Sequence, residues 1–361
     1  MITFIYEILP ALCLSLVSAL LLFPLMIKLS PVLGLVDVPN ERKVHFQPIP
    51  AIGGLVITMS VIPVILLNPA AMRFVQEHIV IIGAMLVLLL TGILDDRFNL
   101  SPKLRLSVQL LCACSVTLSG IRIHSLHGIM GIYEIGDAAS IILTTIIITG
   151  VTNSFNLIDG INGLAGTIAL SNICVLIAMS IFTNYTECLY LLLPLAIGLS
   201  VFLKYNWKKA SIFMGDSGSL LLGFFSAVIG IYYINRTAGS LPGTSGKFTV
   251  IVTAYCLLPV ADALRVFYCR YKKGKSIFQA DKTHIHHILL KLNSEHSKAT
   301  KKIISFHVLL IVGSMIAVQF LSVGTILPLQ GGVTILYISG IRMLAYFQRW
   351  KRHLKKLEME H

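Results

Sequence analysis

The chain has 361 residues, 56% of them hydrophobic and only 12% charged, with a formal net charge of +13. That balance leaves too little polar surface to cover a water-soluble fold, so the soluble globular and disordered classes are excluded and an integral membrane protein remains. The positive charge lies between apolar runs and not in one basic stripe, as topology signals and anionic lipid require and nucleic-acid binding does not.

Eleven apolar runs long enough to span a bilayer follow in chain order: 8–27, 52–67, 79–94, 104–121, 138–157, 164–182, 189–203, 217–234, 248–267, 303–323 and 326–347. They predict an all-α, polytopic helical bundle of about eleven transmembrane helices. The chain reads as a single membrane domain over 1–361, with a basic loop at about 269–302 and a C-terminal tail at about 348–361. The first run lacks a basic start and a small-residue cleavage site, so it is expected to stay in the protein as a span. The 7 cysteines show no CxxC spacing, and Cys13, Cys112, Cys114, Cys174 and Cys256 sit inside apolar runs, where they read as packing residues.

An odd number of spans places the termini on opposite sides. Of the 29 Lys and Arg residues, all but Arg73, Arg122, Arg236 and Lys247 then fall on one side. That side is cytoplasmic and the N-terminus faces outward. On this topology, drawn from charge alone, the polar clusters of the chain all meet at cytoplasmic helix ends.

The first cluster in chain order is the loop Gly34-Leu35-Val36-Asp37-Val38-Pro39-Asn40-Glu41-Arg42-Lys43-Val44-His45, followed by Pro48, Pro50, Gly53 and Gly54. Its Pro and Gly residues specify an ordered loop. Arg42 and Lys43 suit a lipid phosphate or a nucleotide diphosphate, although topology alone also explains two basic residues. Next, Asp95 and Asp96 end the third run, where carboxylates oppose the negative end of the helix dipole. Adjacent on a helix, their side chains point roughly 100° apart and can divide acid/base and electrostatic roles.

In the segment from Thr152 to Gly163, a β-branched run gives way to Asn153, Asn156, Asp159 and Asn162, with Gly160 and Gly163 interleaved. Three-residue spacing keeps the first three near one helix face, and the glycines permit close approach of a phosphate. A plain interhelical turn is the alternative. Asp216, in Met214-Gly215-Asp216-Ser217-Gly218-Ser219, begins the eighth run. It reads either as an N-cap or as a hard oxygen ligand for Mg²⁺ at a phosphate-binding helix start, and the two roles can coexist. The loop segment Asp281-Lys282-Thr283-His284-Ile285-His286-His287 suits phosphate contact, a solvated loop or Zn²⁺, the last without a fitting Cys or Glu. Asp262 and Arg265, in the ninth run, read as an i,i+3 ion pair.

Taken together, these motifs resemble the polyprenyl-phosphate N-acetylhexosamine-1-phosphate transferases, integral membrane enzymes that begin lipid-linked glycan assembly. The resemblance covers nearly the whole chain. It rests on Gly34 through His45 with Gly53-Gly54, Asp95-Asp96 with Leu100-Ser101-Pro102-Lys103, Asn153 through Gly163, Gly215 through Ser219, and Asp281 through His287.

The resemblance implies transfer of GlcNAc-1-phosphate from UDP-GlcNAc to undecaprenyl phosphate at the cytoplasmic face of a bacterial inner membrane, releasing UMP. The product would enter O-antigen, teichoic acid or capsule-like synthesis. Another UDP-N-acetylhexosamine or a phospho-MurNAc-pentapeptide donor is the alternative substrate. By the same resemblance Asp95 and Asp96 are catalytic, and Asp216 with Asn156 holds Mg²⁺, with Mn²⁺ as the alternative ion. Asp159, Asn162 and Asn153 face the uridine nucleotide; His284, His286, His287, Lys103, Arg42 and Lys43 contact phosphate. No nucleic acid is expected as a partner, and a homodimer is left open. Asn162 stands where many relatives carry a second Asp, which retains hydrogen bonding but removes a charge. The pattern His-Ile-His-His resembles the glycan-initiating branch more than the peptidoglycan branch, hence the preference for UDP-GlcNAc. A transporter is the competing class; it calls for ionisable residues near the bilayer midplane, and only Asp262 and Arg265 suggest that.

Overall fold

The computed structural model describes residues 2–38, 47–241, 243–276, 283–292 and 295–359. Thirteen α-helices follow in order among the described residues: α1 (Ile2–Leu33), α2 (Gly53–Leu67), α3 (Pro69–Glu77), α4 (Ile79–Phe98), α5 (Pro102–Leu118), α6 (Asp137–Ile158), α7 (Leu164–Thr183), α8 (Leu189–Asn206), α9 (Gly215–Ala238), α10 (Thr244–Lys272), α11 (Ile285–Lys291), α12 (His296–Ala317) and α13 (Val323–Met359). Two small antiparallel pairs interrupt them, β1 (Val36–Asp37) with β2 (Ile49–Pro50) and β3 (Ser125–Ile129) with β4 (Ile132–Glu134).

Each of the eleven predicted runs falls on a helix, and the protein is an all-α, multi-pass membrane bundle. Nine helices among the described residues are long and apolar enough to cross a membrane. The two remaining runs differ for local reasons. The fourth becomes α5, only 17 residues long, because Ser101 caps its start ahead of Pro102 and the helix stops at Leu118. The second becomes α2, which ends at Asn68; that side chain accepts from the amides of Ala70 and Ala71 at 2.9 and 3.1 Å, and Pro69 starts α3. Chain direction changes by 108° there, so α2 and α3 form one bent pair. Helix α11 occupies part of the loop expected at 269–302, and the tail expected from 348 continues α13 to Met359.

The organising element is α9. In its most apolar stretch 94% of residues are buried, against 28% for the outer helices α1 and α13. It packs on α2, α4, α6, α7 and α10. Close approach is set by glycine: a Cβ on Gly54 would lie 2.1 Å from the Gly218 backbone, and one on Gly92 would lie 2.3 Å from the Ser217 backbone. Small residues at such crossings let helix backbones touch where lipid offers no hydrophobic drive for association. Backbone bonds extend the junction, with Gly53 N–H donating to Phe213 O at 3.0 Å, Gly54 N–H to Met214 O at 2.8 Å and Phe213 N–H to Pro50 O at 2.8 Å. The start of α9 is therefore fixed against both α2 and α4.

Candidate active site

Three chain segments, from α4, α5 and α6, deliver polar side chains to that fixed helix start, which contributes Asp216 itself. The last turn of α4 carries Asp95 and Asp96; Asn99 then closes the helix in a left-handed conformation, φ 52°. Ser101 and Pro102 start α5 immediately afterwards, so Arg105 on its first turn faces back toward Asp95. Helix α6 ends at Ile158, placing Asn156 one half-turn from its C-terminus, and Asp216 occupies the first turn of α9.

The two neighbouring aspartates part ways, as their 100° separation requires. Asp95, buried at 5% exposure, accepts from Arg105 Nη1 at 2.5 Å. The same Nη1 donates to Asp216 Oδ2 at 2.8 Å. Asp96 turns toward α9 instead and accepts the Asp216 and Ser217 backbone N–H groups at 2.8 and 3.3 Å. The capping alternative for Asp216 is thus answered: α9 has no cap from its own N-cap residue, Met214, and Asp96 supplies the acceptor from another helix. Asp216 is left for other contacts. Its Oδ1 accepts from Asn156 Nδ2 at 2.7 Å, and the same nitrogen donates to Ser219 Oγ at 2.9 Å.

Asp159 follows α6 directly. Desolvation, reinforced by the negative charge of Asp216, lifts its carboxyl to about 7. The adjacent Gly160 is pressed against His286, whose Nε2 would lie 2.2 Å from any Cβ added there. That contact docks the histidine segment onto the α6–α7 turn. His284 and His286 lie parallel with ring centroids 5.7 Å apart, and His287 sits 4.2 Å from His286. Burial pushes the His286 imidazole well below its ordinary range, with His287 and His284 acting in the same direction. Its Nδ1 is buried with no hydrogen-bond partner among the described residues.

The structure brings together Asp95, Asp96, Asn156 and Asp216 through hydrogen bonds, and His286 through Gly160. Asn153, partly buried one turn earlier on α6, bonds none of these carboxylates. Asn162 serves the turn itself: its Nδ2 donates to Lys208 O at 3.2 Å, its N–H to His296 Nδ1 at 3.4 Å, and its carbonyl accepts from Thr300 Oγ1 at 2.8 Å. Lys103 is exposed on the first turn of α5, and Arg105, two residues on, makes the carboxylate contacts. Arg42, Lys43, Asp281 and Lys282 lie outside the described residues. The predicted Asp262–Arg265 pair forms at 2.6 Å; Asp262 also meets His284, so it belongs to the histidine segment and not to a midplane pathway.

Among the described residues, no three His, Cys, Asp or Glu side chains are arranged to hold a metal ion. A hard divalent cation of the Mg²⁺ type asks for less. It takes one or two carboxylates and completes its shell with water and substrate phosphate. The donor set fits that need: the Asp216 carboxylate, bonded by the Asn156 amide on one oxygen and by Arg105 on the other, puts a hard oxygen donor beside an amide at the helix start.

A family model described as glycosyl transferase family 4 matches residues 78–234, the stretch containing Asp95, Asn156, Asp159 and Asp216. A probable undecaprenyl-phosphate N-acetylglucosaminyl 1-phosphate transferase of Bacillus subtilis is 30% identical over 293 residues, 80% of this chain and 79% of that protein. The chain belongs to glycosyl transferase family 4. A decaprenyl-phosphate N-acetylglucosaminephosphotransferase of Mycobacterium tuberculosis is 30% identical over 290 residues, covering 74% of this chain and 71% of its own length. An undecaprenyl-phosphate alpha-N-acetylglucosaminyl 1-phosphate transferase of Yersinia pestis is 29% identical over 269 residues, 72% of this chain and 70% of that one. This family 4 member is accordingly a membrane-embedded phosphotransferase, and its polar helix ends are the place to look for its chemistry.

Proposed function

We propose that the protein transfers GlcNAc-1-phosphate from UDP-GlcNAc to undecaprenyl phosphate at the cytoplasmic face of the membrane. An oxygen of the lipid phosphate attacks the sugar-bearing phosphorus of the donor; the bond to the bridging oxygen breaks, UMP leaves, and a lipid diphosphate sugar results. The observation that carries this reading is the joining of Asp95 and Asp216, 121 positions apart, through one Arg105 nitrogen at 2.5 and 2.8 Å. Phosphoryl transfer depends on positioning and on neutralising charge, which is what such a cluster supplies.

Asp95 engages the incoming lipid phosphate and takes its proton if it arrives protonated. Arg105, held between two carboxylates, meets the charge of the transferring group. Asp96 acts by holding the α9 start in place. Asp216 and the amide oxygen of Asn156 would hold Mg²⁺, with Mn²⁺ as substitute; when bound, the ion neutralises phosphate charge. Asp159, Asn162 and Asn153 take the nucleotide side, while His284, His286 and His287, with Lys103, Arg42 and Lys43, take the phosphates. The basic residues gathered at this end of the bundle support a cytoplasmic orientation. The names of the relatives support the acceptor and donor classes.

Purified protein supplied with Mg²⁺, undecaprenyl phosphate and a panel of UDP-sugars tests this reading. UMP release and lipid-linked product are expected to be greatest with UDP-GlcNAc. A different preferred N-acetylhexosamine would correct the donor, and no UMP release from any of them would reject the reaction.

A further inference from the structure

Asp262, in the C-terminal half of α10, is 1% exposed and is the acceptor for one continuous piece of chain. Its Oδ1 accepts from Arg265 Nη2 at 2.6 Å and Nε at 3.2 Å, its Oδ2 contacts His284 Nδ1 at 2.8 Å, and the Ile285 N–H reaches both oxygens at 3.2 Å. Arg265 Nη2 also donates to Thr283 O at 2.6 Å. An ordinary i,i+3 pair would stop at the two side chains. This one grips residues 283–285 by backbone and ring together.

A buried carboxylate is tolerated only when paired and fully hydrogen-bonded, and an ionised one can only accept. The contact with His284 therefore requires a proton on Nδ1 and leaves Nε2 as the ring nitrogen available to a ligand, on a side chain that is itself buried. That nitrogen makes no hydrogen bond among the described residues. The neighbouring His286 has its Nε2 against Gly160 and an environment that disfavours its charged form. The parallel rings thus have different tasks: His286 docks the segment on the α6–α7 turn, and His284 presents a nitrogen to a ligand.

We propose that Asp262 is a positioning residue that acts through His284: its carboxylate holds the Nδ1–H and balances the charge of a ring protonated on both nitrogens, so that Nε2–H donates to a phosphoryl oxygen of the substrate. This rests on the phosphosugar-transfer reading for its ligand. The physical logic is that of a carboxylate behind a ligand histidine, where the outer partner sets ring protonation and orientation and its loss lowers function about 10- to 100-fold.

Two measurements on the full-length protein decide it. In ¹⁵N-histidine NMR, with the His284 signal identified by its disappearance in His284→Gln, the wild-type ring is expected to carry a proton on each nitrogen; a neutral ring carrying a single proton would overturn the proposal. This readout needs neither turnover nor a folded Asp262 variant. In kinetics, Asp262→Asn is expected to lower kcat/KM for the UDP-sugar about 10- to 100-fold, and the double variant with His284→Gln to be no worse than His284→Gln alone. Losses that multiply would mean Asp262 works independently of His284 and would also overturn it. Absence of UMP release by wild-type protein rejects the transfer reaction instead, and the NMR result then decides the positioning role by itself.

Discussion

At its start α9 meets Asp95, Asp96, Asn156 and Arg105, with Asp95 only 5% exposed and one guanidinium nitrogen serving two carboxylates from different helices. At its other end Arg236 lies 3.9 Å from Glu187, both side chains about half exposed at 49% and 47%, and covers the Tyr185 ring at 4.9 Å. Both ends therefore pair opposite charges, yet they differ in what water can do. The exposed pair is screened and contributes little. The enclosed cluster gathers the carboxyl groups of Asp95, Asp96 and Asp216 beside one guanidinium, and those oxygen donors are what a cation and phosphorylated reactants would meet. Convergence with burial, and not the presence of an ion pair, separates a candidate site from a surface contact.

That contrast can be broken at several points, with effects of decreasing size. Asp95→Asn is expected to lower turnover about 10²- to 10³-fold, the range for removing one electrostatic contributor from an enclosed site, while the thermal unfolding midpoint shows the protein still folded. Gly92→Ala places a methyl group where Ser217 backbone atoms stand 2.3 Å away. Overpacking of that kind costs about 1–3 kcal/mol, so a lower midpoint and slower turnover together are expected; an unchanged midpoint would mean that the α4–α9 junction is looser than described.

A separate effect, on stability and not on turnover, concerns pH. The Asp159 carboxyl, lifted to about 7 in the folded protein, titrates near 3.9 in an unfolded chain. Between those values the native state retains a proton that the unfolded state has released, so this group's contribution to stability declines as pH rises through the window and levels off above about 7. Asp159→Asn should flatten that part of the midpoint-versus-pH curve and leave the protein relatively more stable at pH 8. Smallest of all, Arg236→Gln at the exposed end should change stability by less than about 1 kcal/mol and leave turnover unaltered. A large loss there would erase the distinction between the two ends.

Much of this arrangement was legible before any coordinates. Hydropathy locates the helices because each span must bury about 20 apolar residues, and carboxylates interrupting such spans are conspicuous because they are expensive there. Asp95, Asp96, Asn156 and Asp216 are readable for that reason. Arg105 is not: in sequence it is one more basic residue between two apolar runs, fully accounted for as a topology signal, and only the tight α4–α5 turn aims it at Asp95. The same holds for Asp262. Its helical partner Arg265 follows from periodicity, whereas His284 comes from a segment 22 positions later that periodicity cannot connect. Gly92 gave no signal of its own, and Gly54 was read as part of a loop motif and not as a helix crossing, since glycine in an apolar run marks a close crossing only once the crossing helix is known. The 108° bend after α2 and the β3–β4 hairpin are likewise set by short turn residues between the long apolar runs.

The account depends most on the carboxylate of Asp216, and radiolabelled UDP-GlcNAc turnover onto undecaprenyl phosphate tests it directly, comparing wild-type protein with Mg²⁺, wild-type protein after chelation, and Asp216→Asn with Mg²⁺. UMP and lipid-linked product are predicted from the first alone. Full Mg²⁺-dependent turnover by Asp216→Asn would contradict the assignment of the reaction to the start of α9.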